Sequence, residues 1–99
     1  KESFDILLEG VPKDVNYDTV EKYISKNPGV DSIHDLHIWS LTSGVNALSG
    51  HIIMKPETTI TEMNDIIFEI KKGLNSSYKI SHTTLEVHIN KEDYTSNSI

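Results

Sequence analysis

Three histidines lie in two neighbouring segments of this 99-residue chain, where they could hold a divalent cation. His34 and His37 are three positions apart, and His51 follows fourteen positions later. Neutral imidazole is the commonest protein ligand for borderline divalent metals near neutral pH, because it needs to lose little or no proton first. The cluster therefore predicts a metal site, and His82 and His88 near the C-terminal end extend the candidate set.

The composition excludes several other kinds of chemistry. The chain has no cysteine, so disulfides, thiolate nucleophiles and cysteine-type zinc ligands are ruled out. It contains neither a Gly-x-Ser-x-Gly nor a His-Glu-x-x-His motif, and we find no catalytic constellation and no cofactor-binding motif. We expect a protein that is not an enzyme and that holds its metal by imidazole, carboxylate, carbonyl or water.

Charge and length limit the remaining classes. Fifteen acidic against nine basic residues give a net charge of −6, which disfavours nucleic acid as a partner. The length suits one compact domain, and no apolar run approaches the ~20 residues of a membrane-spanning helix. Because the chain begins with Lys1 and carries no signal-peptide pattern, we interpret it as a piece of a longer protein.

Two segments have the spacing of amphipathic helices. Asn16 is placed to cap the first helix, and Asn27, Pro28 and Gly29 are placed to end it. A capping box that begins at Thr59 starts the second helix, which is predicted to end near residue 73.

Three segments have the pattern of strands, namely Val30–Leu41, Asn46–Lys55 and Tyr78–Asn90. The apolar residues of the first strand do not share one parity, which predicts a bulge around Ser32–Asp35. Phe4–Leu8 is either a short strand or the end of a lead-in helix.

The order of these elements predicts an α+β fold. We expect a ferredoxin-like two-layer sandwich of order (β)αββαβ, with helices on one face of a mainly antiparallel three-stranded sheet. Residues 1–10 are interpreted as a lead-in from a missing region, residues 11–90 as a metal-binding ferredoxin-like domain, and residues 91–99 as a disordered tail.

Hairpin geometry tests whether the histidines of the first two strands can meet. A turn centred on Ser43-Gly44 would place His51 opposite Leu36 or His37. His34 and His37 lie on opposite faces of a regular strand. At most one of them can therefore share an ion with His51, unless the bulge changes the alternation of the strand.

Structural roles compete with metal binding at several of these positions. His82 and His88 share a face but lie ~20 Å apart along the strand, so they do not bind one ion within a subunit. His37, next to Trp39, is interpreted as a packing residue with a structural hydrogen bond. Thr84 and Glu86 are interpreted as part of the solvent-exposed face of the sheet. For His82 a metal role and a structural role are both open.

The chain resembles a known family in several blocks of sequence. These blocks are Leu7–Pro12, Pro28–Val30, the His-Asp-Leu-His-Ile-Trp-Ser-Leu run of 34–41, Ala47–His51 and His82–Val87. Together they are similar to the cytoplasmic C-terminal domain of cation diffusion facilitator transporters, in a match that covers about residues 5–89.

The resemblance implies a place and partners for the domain. It implies a domain on the cytoplasmic face of a membrane, beneath a six-helix membrane domain that exchanges divalent cations for protons. Residues 1–10 would then be the lead-in from that missing membrane domain. It also implies a homodimer that binds Zn²⁺ near its interface, with Cd²⁺, Co²⁺, Ni²⁺ and Mn²⁺ as other ions that suit the ligands.

The resemblance also assigns ligands. It implies metal ligands at His34, His51 and, in the last strand, His88, with His82 as a ligand to a second ion. Asn64 and Asp65 stand where some bacterial members have a histidine, which puts a full binuclear site in doubt.

We therefore expect a regulatory, metal-sensing dimerisation domain of a zinc-type efflux transporter. Bound ions would favour one packing of two subunits over another, because they bind one state more tightly. The alternatives are a metal-independent dimerisation module and a soluble, chaperone-like metal-handling domain.

Overall fold

The computed structural model describes residues 11–89, which form two helices and one sheet. In chain order the elements are α1 (Tyr17–Ser25), β1 (Val30–Thr42), β2 (Val45–Met54), α2 (Ile60–Tyr78) and β3 (Ile80–Ile89). This αββαβ order confirms the predicted α+β class. The predictions made for residues 1–10, including the segment at 4–8, and for residues 91–99 lie outside the described residues.

Both helices begin at the predicted caps. The side chain of Asn16 accepts a hydrogen bond of 2.9 Å from the amide of Thr19. At the second helix Thr59 and Glu62 form the capping box, in which each side chain accepts a hydrogen bond from the other residue's backbone amide, at 3.1 and 2.9 Å. These bonds satisfy amides that have no partner inside the helix.

The predicted end of the second helix near Gly73 is wrong. The helix continues to Tyr78, and Lys79 ends it with a left-handed backbone at φ 59°. Gly73 instead lies against Tyr23 of α1, whose ring would collide with any Cβ added at this position. The Tyr23 hydroxyl also donates to the carbonyl of Glu69 at 3.2 Å. The glycine therefore permits a close contact between the helices and does not stop α2.

The sheet is mixed. Its strand order is β1-β2-β3, with β1 and β2 antiparallel and β2 and β3 parallel. The expected mainly antiparallel sheet is therefore wrong for the second pair of strands. The connection between β2 and β3 contains α2, and a helical crossover of this kind returns the chain to run in the same direction.

The core lies between the sheet and the two helices. Apolar side chains at alternating positions of β2 face the helices, namely Leu48, Ile52 and Met54, and each is no more than 1% exposed. They pack in one cluster with buried residues of both helices, which include Val20, Ile24, Ile70 and Leu74. Because neighbouring strand residues point to opposite faces, residues 47, 49, 51 and 53 lie on the other side of the sheet, which we call the outer face.

Candidate metal site

The hairpin of β1 and β2 decides which histidine faces His51. Thr42 pairs with Val45 across the turn, but the register then shifts by one residue between Ser40 and Thr42 and again between residues 34 and 37. As a result His51 pairs with His34. The predicted partners, Leu36 and His37, are wrong because each irregularity displaces the pairing by one position.

A bulge at Asp35 brings both histidines of β1 to one face. Asp35 has a left-handed backbone, with φ at 54°, and lies between the pairs His34 with His51 and His37 with Ser49. Since His51 and Ser49 belong to the outer face, their partners do so too. A regular strand would place His34 and His37 on opposite faces, but here the extra residue of the bulge changes the parity of the strand.

The parallel strand β3 adds the two remaining histidines to the same face. His82 pairs with Ala47, Glu86 with His51, and His88 with Ile53. All three β2 partners have odd numbers and belong to the outer face. The five histidines of the chain therefore occupy the side of the sheet that the helices leave free.

Three of the outer-face residues form a compact group of potential ligands. His51 Nε2 lies 3.1 Å from one carboxylate oxygen of Glu86, and His88 Nε2 lies 3.5 Å from the other. One ligand atom from each residue falls within 4.8 Å of the others. Ligand atoms around a tetrahedral zinc lie about 3.4 Å apart, so a movement of about 1 Å would close this group on an ion.

The surroundings of this group suit an ion in contact with water. Glu86 is 61% exposed, and the side chains of His51 and His88 are 38% and 29% exposed. The two imidazole rings are tilted by 45°, with their centres 5.6 Å apart. Two imidazoles and one carboxylate would supply three of the four ligands of a tetrahedral zinc ion. The fourth would be water or a residue of another subunit, as in zinc sites with three protein ligands.

The other two predicted ligands, His34 and His82, lie outside this group. His34 is opposite His51, but its Nε2 contacts the Ser32 hydroxyl at 2.9 Å. His82 is exposed and lies six residues before His88 on β3. His37 borders a hollow of about 230 Å³ that Asp35, His51 and Glu86 also line.

Glu86 is the member of the group that the sequence analysis did not select as a ligand. Its spacing to His88 could have indicated this role, because two strand residues separated by one position lie on the same face of the sheet. Its contact with His51 depends on the parallel register of β2 and β3, which joins residues 35 positions apart in the sequence.

Comparisons with known proteins identify relatives of the chain. A family described as "Cation efflux protein, cytoplasmic domain" matches residues 12–92. The metal cation efflux system protein CzcD of Cupriavidus metallidurans is 42% identical over 89 residues, which are 90% of this chain and 28% of that protein. A cadmium, cobalt and zinc/H(+)-K(+) antiporter of Bacillus subtilis is 39% identical over 87 residues, which are 88% of this chain and 28% of that protein.

Solved structures extend the similarity to the fold. The metal-bound C-terminal domain of the CzcD transporter from C. metallidurans has a TM-score of 0.64 and 38% identity, and the match covers 75% of this chain and 99% of that domain. A structure of the candidate zinc transporter CzrB has a TM-score of 0.70 at 15% identity, covers 83% of this chain and 100% of that one, and shows the shared fold alone.

The chain spans little more than a quarter of the length of the curated relatives named above. Within residues 11–89, neither helix has the combined length and apolar character needed to cross a bilayer. The family match takes in both helices and all three strands, and it includes the residues that the outer face brings together. The chain therefore belongs to the family of cytoplasmic domains of cation efflux proteins.

Proposed function

We propose that this domain binds a zinc-type divalent cation through His51, Glu86 and His88, and that it is the metal-sensing, dimer-forming part of a longer cation efflux transporter. One observation carries the proposal: nitrogen atoms of two histidines and an oxygen of one carboxylate lie within 4.8 Å of one another. These are ligand types that zinc accepts at about 2.0–2.2 Å.

The relatives support the proposed class of ion. The CzcD domain, at 38% identity, is described as metal-bound, and the B. subtilis relative is named for cadmium, cobalt and zinc. Imidazole and carboxylate together also suit nickel and manganese to differing degrees. We therefore propose Zn²⁺ as the principal ion, with Cd²⁺, Co²⁺, Ni²⁺ and Mn²⁺ as competitors.

We further propose roles for the two other candidate ligands. His34 faces His51 across the hairpin and could complete the coordination by exchanging its contact with Ser32 for one with the cation. His82 lies ~20 Å from His88 along the extended strand. An ion bound by His82 would therefore be a second ion, and its remaining ligands would come from water or from another subunit.

The proposed sensing follows from charge. Each subunit carries a net charge of −6, so two subunits repel each other at low ionic strength. A dication bound on the outer face reduces that negative charge. If it binds more tightly in one packing of the two subunits, it shifts the population toward that packing by the difference in binding free energy.

The metal site is tested by zinc titration calorimetry on the wild-type chain and on His51→Ala, Glu86→Gln and His88→Ala. We expect zinc affinity to fall at least tenfold in each variant, because each loses one of three ligands. His37→Ala is the matched control, since it removes the same side chain from the same face of the sheet, at a position outside the group and with no proposed ligand role. Wild-type affinity in all three site variants would contradict the proposal.

A further inference from the structure

Asp35 lies beside the His51 ring at the nitrogen that faces away from Glu86. Its Oδ2 is 3.8 Å from His51 Nδ1, whereas the Glu86 carboxylate is 3.1 Å from Nε2. The two ring nitrogens therefore face two different carboxylates. Nε2 faces the carboxylate that His88 also contacts, so the neighbours of each nitrogen distinguish the proposed ligand nitrogen from the other one.

The bulge in β1 is what brings the Asp35 carboxylate to this place. Asp35 and Leu36 lie between the pairs His34 with His51 and His37 with Ser49, and of these two residues Asp35 has the left-handed backbone. Residues other than glycine rarely adopt this conformation, although aspartate and asparagine do so more readily than most. Strained residues of this kind cluster at ligand sites, and here the strained residue is the one beside His51.

We propose that Asp35 is a positioning residue of the metal site, which accepts the Nδ1–H of His51 and so directs Nε2 to the cation. This inference rests on the proposed function. A neutral imidazole carries one proton, and the nitrogen that binds metal must be unprotonated. A carboxylate that accepts the other N–H selects the required tautomer, fixes the ring and makes the ligand nitrogen more basic.

The geometry permits this contact. At 3.8 Å the two atoms are farther apart than in a hydrogen bond, but the Asp35 side chain is 73% exposed and has room to rotate. A charge-assisted hydrogen bond forms at about 2.8 Å. Asp35 would then contact the imidazole and leave the cation to the group formed by His51, Glu86 and His88.

Two substitutions of Asp35 test the proposal without disturbing the bulge. Glycine and asparagine both adopt the left-handed backbone conformation readily. Asp35→Gly removes the carboxylate, whereas Asp35→Asn keeps an acceptor oxygen. We expect zinc affinity, measured by calorimetry, to fall 10- to 100-fold in Asp35→Gly and by a smaller factor in Asp35→Asn. Glu69→Gln is the control, because it removes one negative charge from α2, in the other layer of the fold.

A second measurement reports on the imidazole itself. In long-range ¹H–¹⁵N NMR spectra of the zinc-bound chain, we expect His51 to carry its proton on Nδ1 and to bind metal through Nε2. Zinc on Nδ1, or wild-type affinity in Asp35→Gly, would overturn the positioning role. If His51→Ala lowers zinc affinity while Asp35→Gly does not, this inference alone fails. If His51→Ala, Glu86→Gln and His88→Ala also bind zinc with wild-type affinity, the proposed function fails.

Discussion

At the scale of single residues, two tyrosines make the stability of the fold depend on pH. Burial raises the pKa of Tyr17 above its ordinary value of 10.0, and the nearby carboxylates of Glu21 and Asp18 raise it further. Burial also raises the pKa of Tyr23, with smaller effects from Tyr78 and Glu69. Both hydroxyls donate hydrogen bonds to backbone carbonyls, at 3.2 Å in each case, and these bonds require the protonated phenol.

The raised pKa values of the two tyrosines predict a loss of stability in alkaline solution. The folded chain holds the two phenol protons more tightly than the unfolded chain, whose tyrosines titrate near pH 10. Their contribution to stability is therefore complete below about pH 10 and is lost as the pH rises through the higher folded pKa. In urea unfolding at pH 8 and pH 10.5, we expect the variant with both Tyr17→Phe and Tyr23→Phe to lose less stability between the two pH values than the wild type. An equal loss in both proteins would contradict the assignment.

At the scale of elements, the contact between Tyr23 and Gly73 joins the two helices. Gly73→Ala would gain about 1 kcal/mol of helix propensity at an exposed helical site. Here the new methyl group meets the Tyr23 ring, and overpacking of this kind costs about 1–3 kcal/mol. We expect Gly73→Ala to lower the free energy of unfolding, measured in urea, whereas Asn75→Ala on the exposed side of α2 should not lower it.

A double-mutant cycle isolates the cause. In a Tyr23→Ala background the obstacle is absent, so the same Gly73→Ala substitution should become neutral or stabilising. Destabilisation of equal size with and without the Tyr23 ring would show that the glycine is needed for some other reason.

At the scale of the whole molecule, the net charge predicts how zinc would affect the proposed dimer. If the proposed dimer forms between subunits of charge −6, their repulsion weakens as salt is added. We expect sedimentation velocity at low salt to show a larger dimer fraction with zinc than with chelator, and we expect His51→Ala to abolish that difference. Equal dimer fractions in zinc and in chelator would favour the alternative of a metal-independent dimerisation module.

Much of this fold follows from short stretches of sequence. The caps at Asn16 and Thr59, the hairpin turn at Ser43-Gly44 and the bulge in β1 each depend on residues a few positions apart, and all appear in the structure. The alternation of β3 likewise predicts that His82 and His88 share one face, as they do in the structure. Local hydrogen bonding and side-chain period are sufficient to determine such features.

Tertiary structure decided the features that depend on distant pairs of residues. The parallel register of β2 and β3 placed Glu86 beside His51, the shifted hairpin register placed His34 opposite His51, and packing against Tyr23 kept Gly73 inside a helix. A shift of one residue between strands exchanges the two faces of a sheet. The chain's own sequence therefore determined that it carries histidines suited to a metal, whereas only the assembled sheet decided which side chains lie close enough to share one.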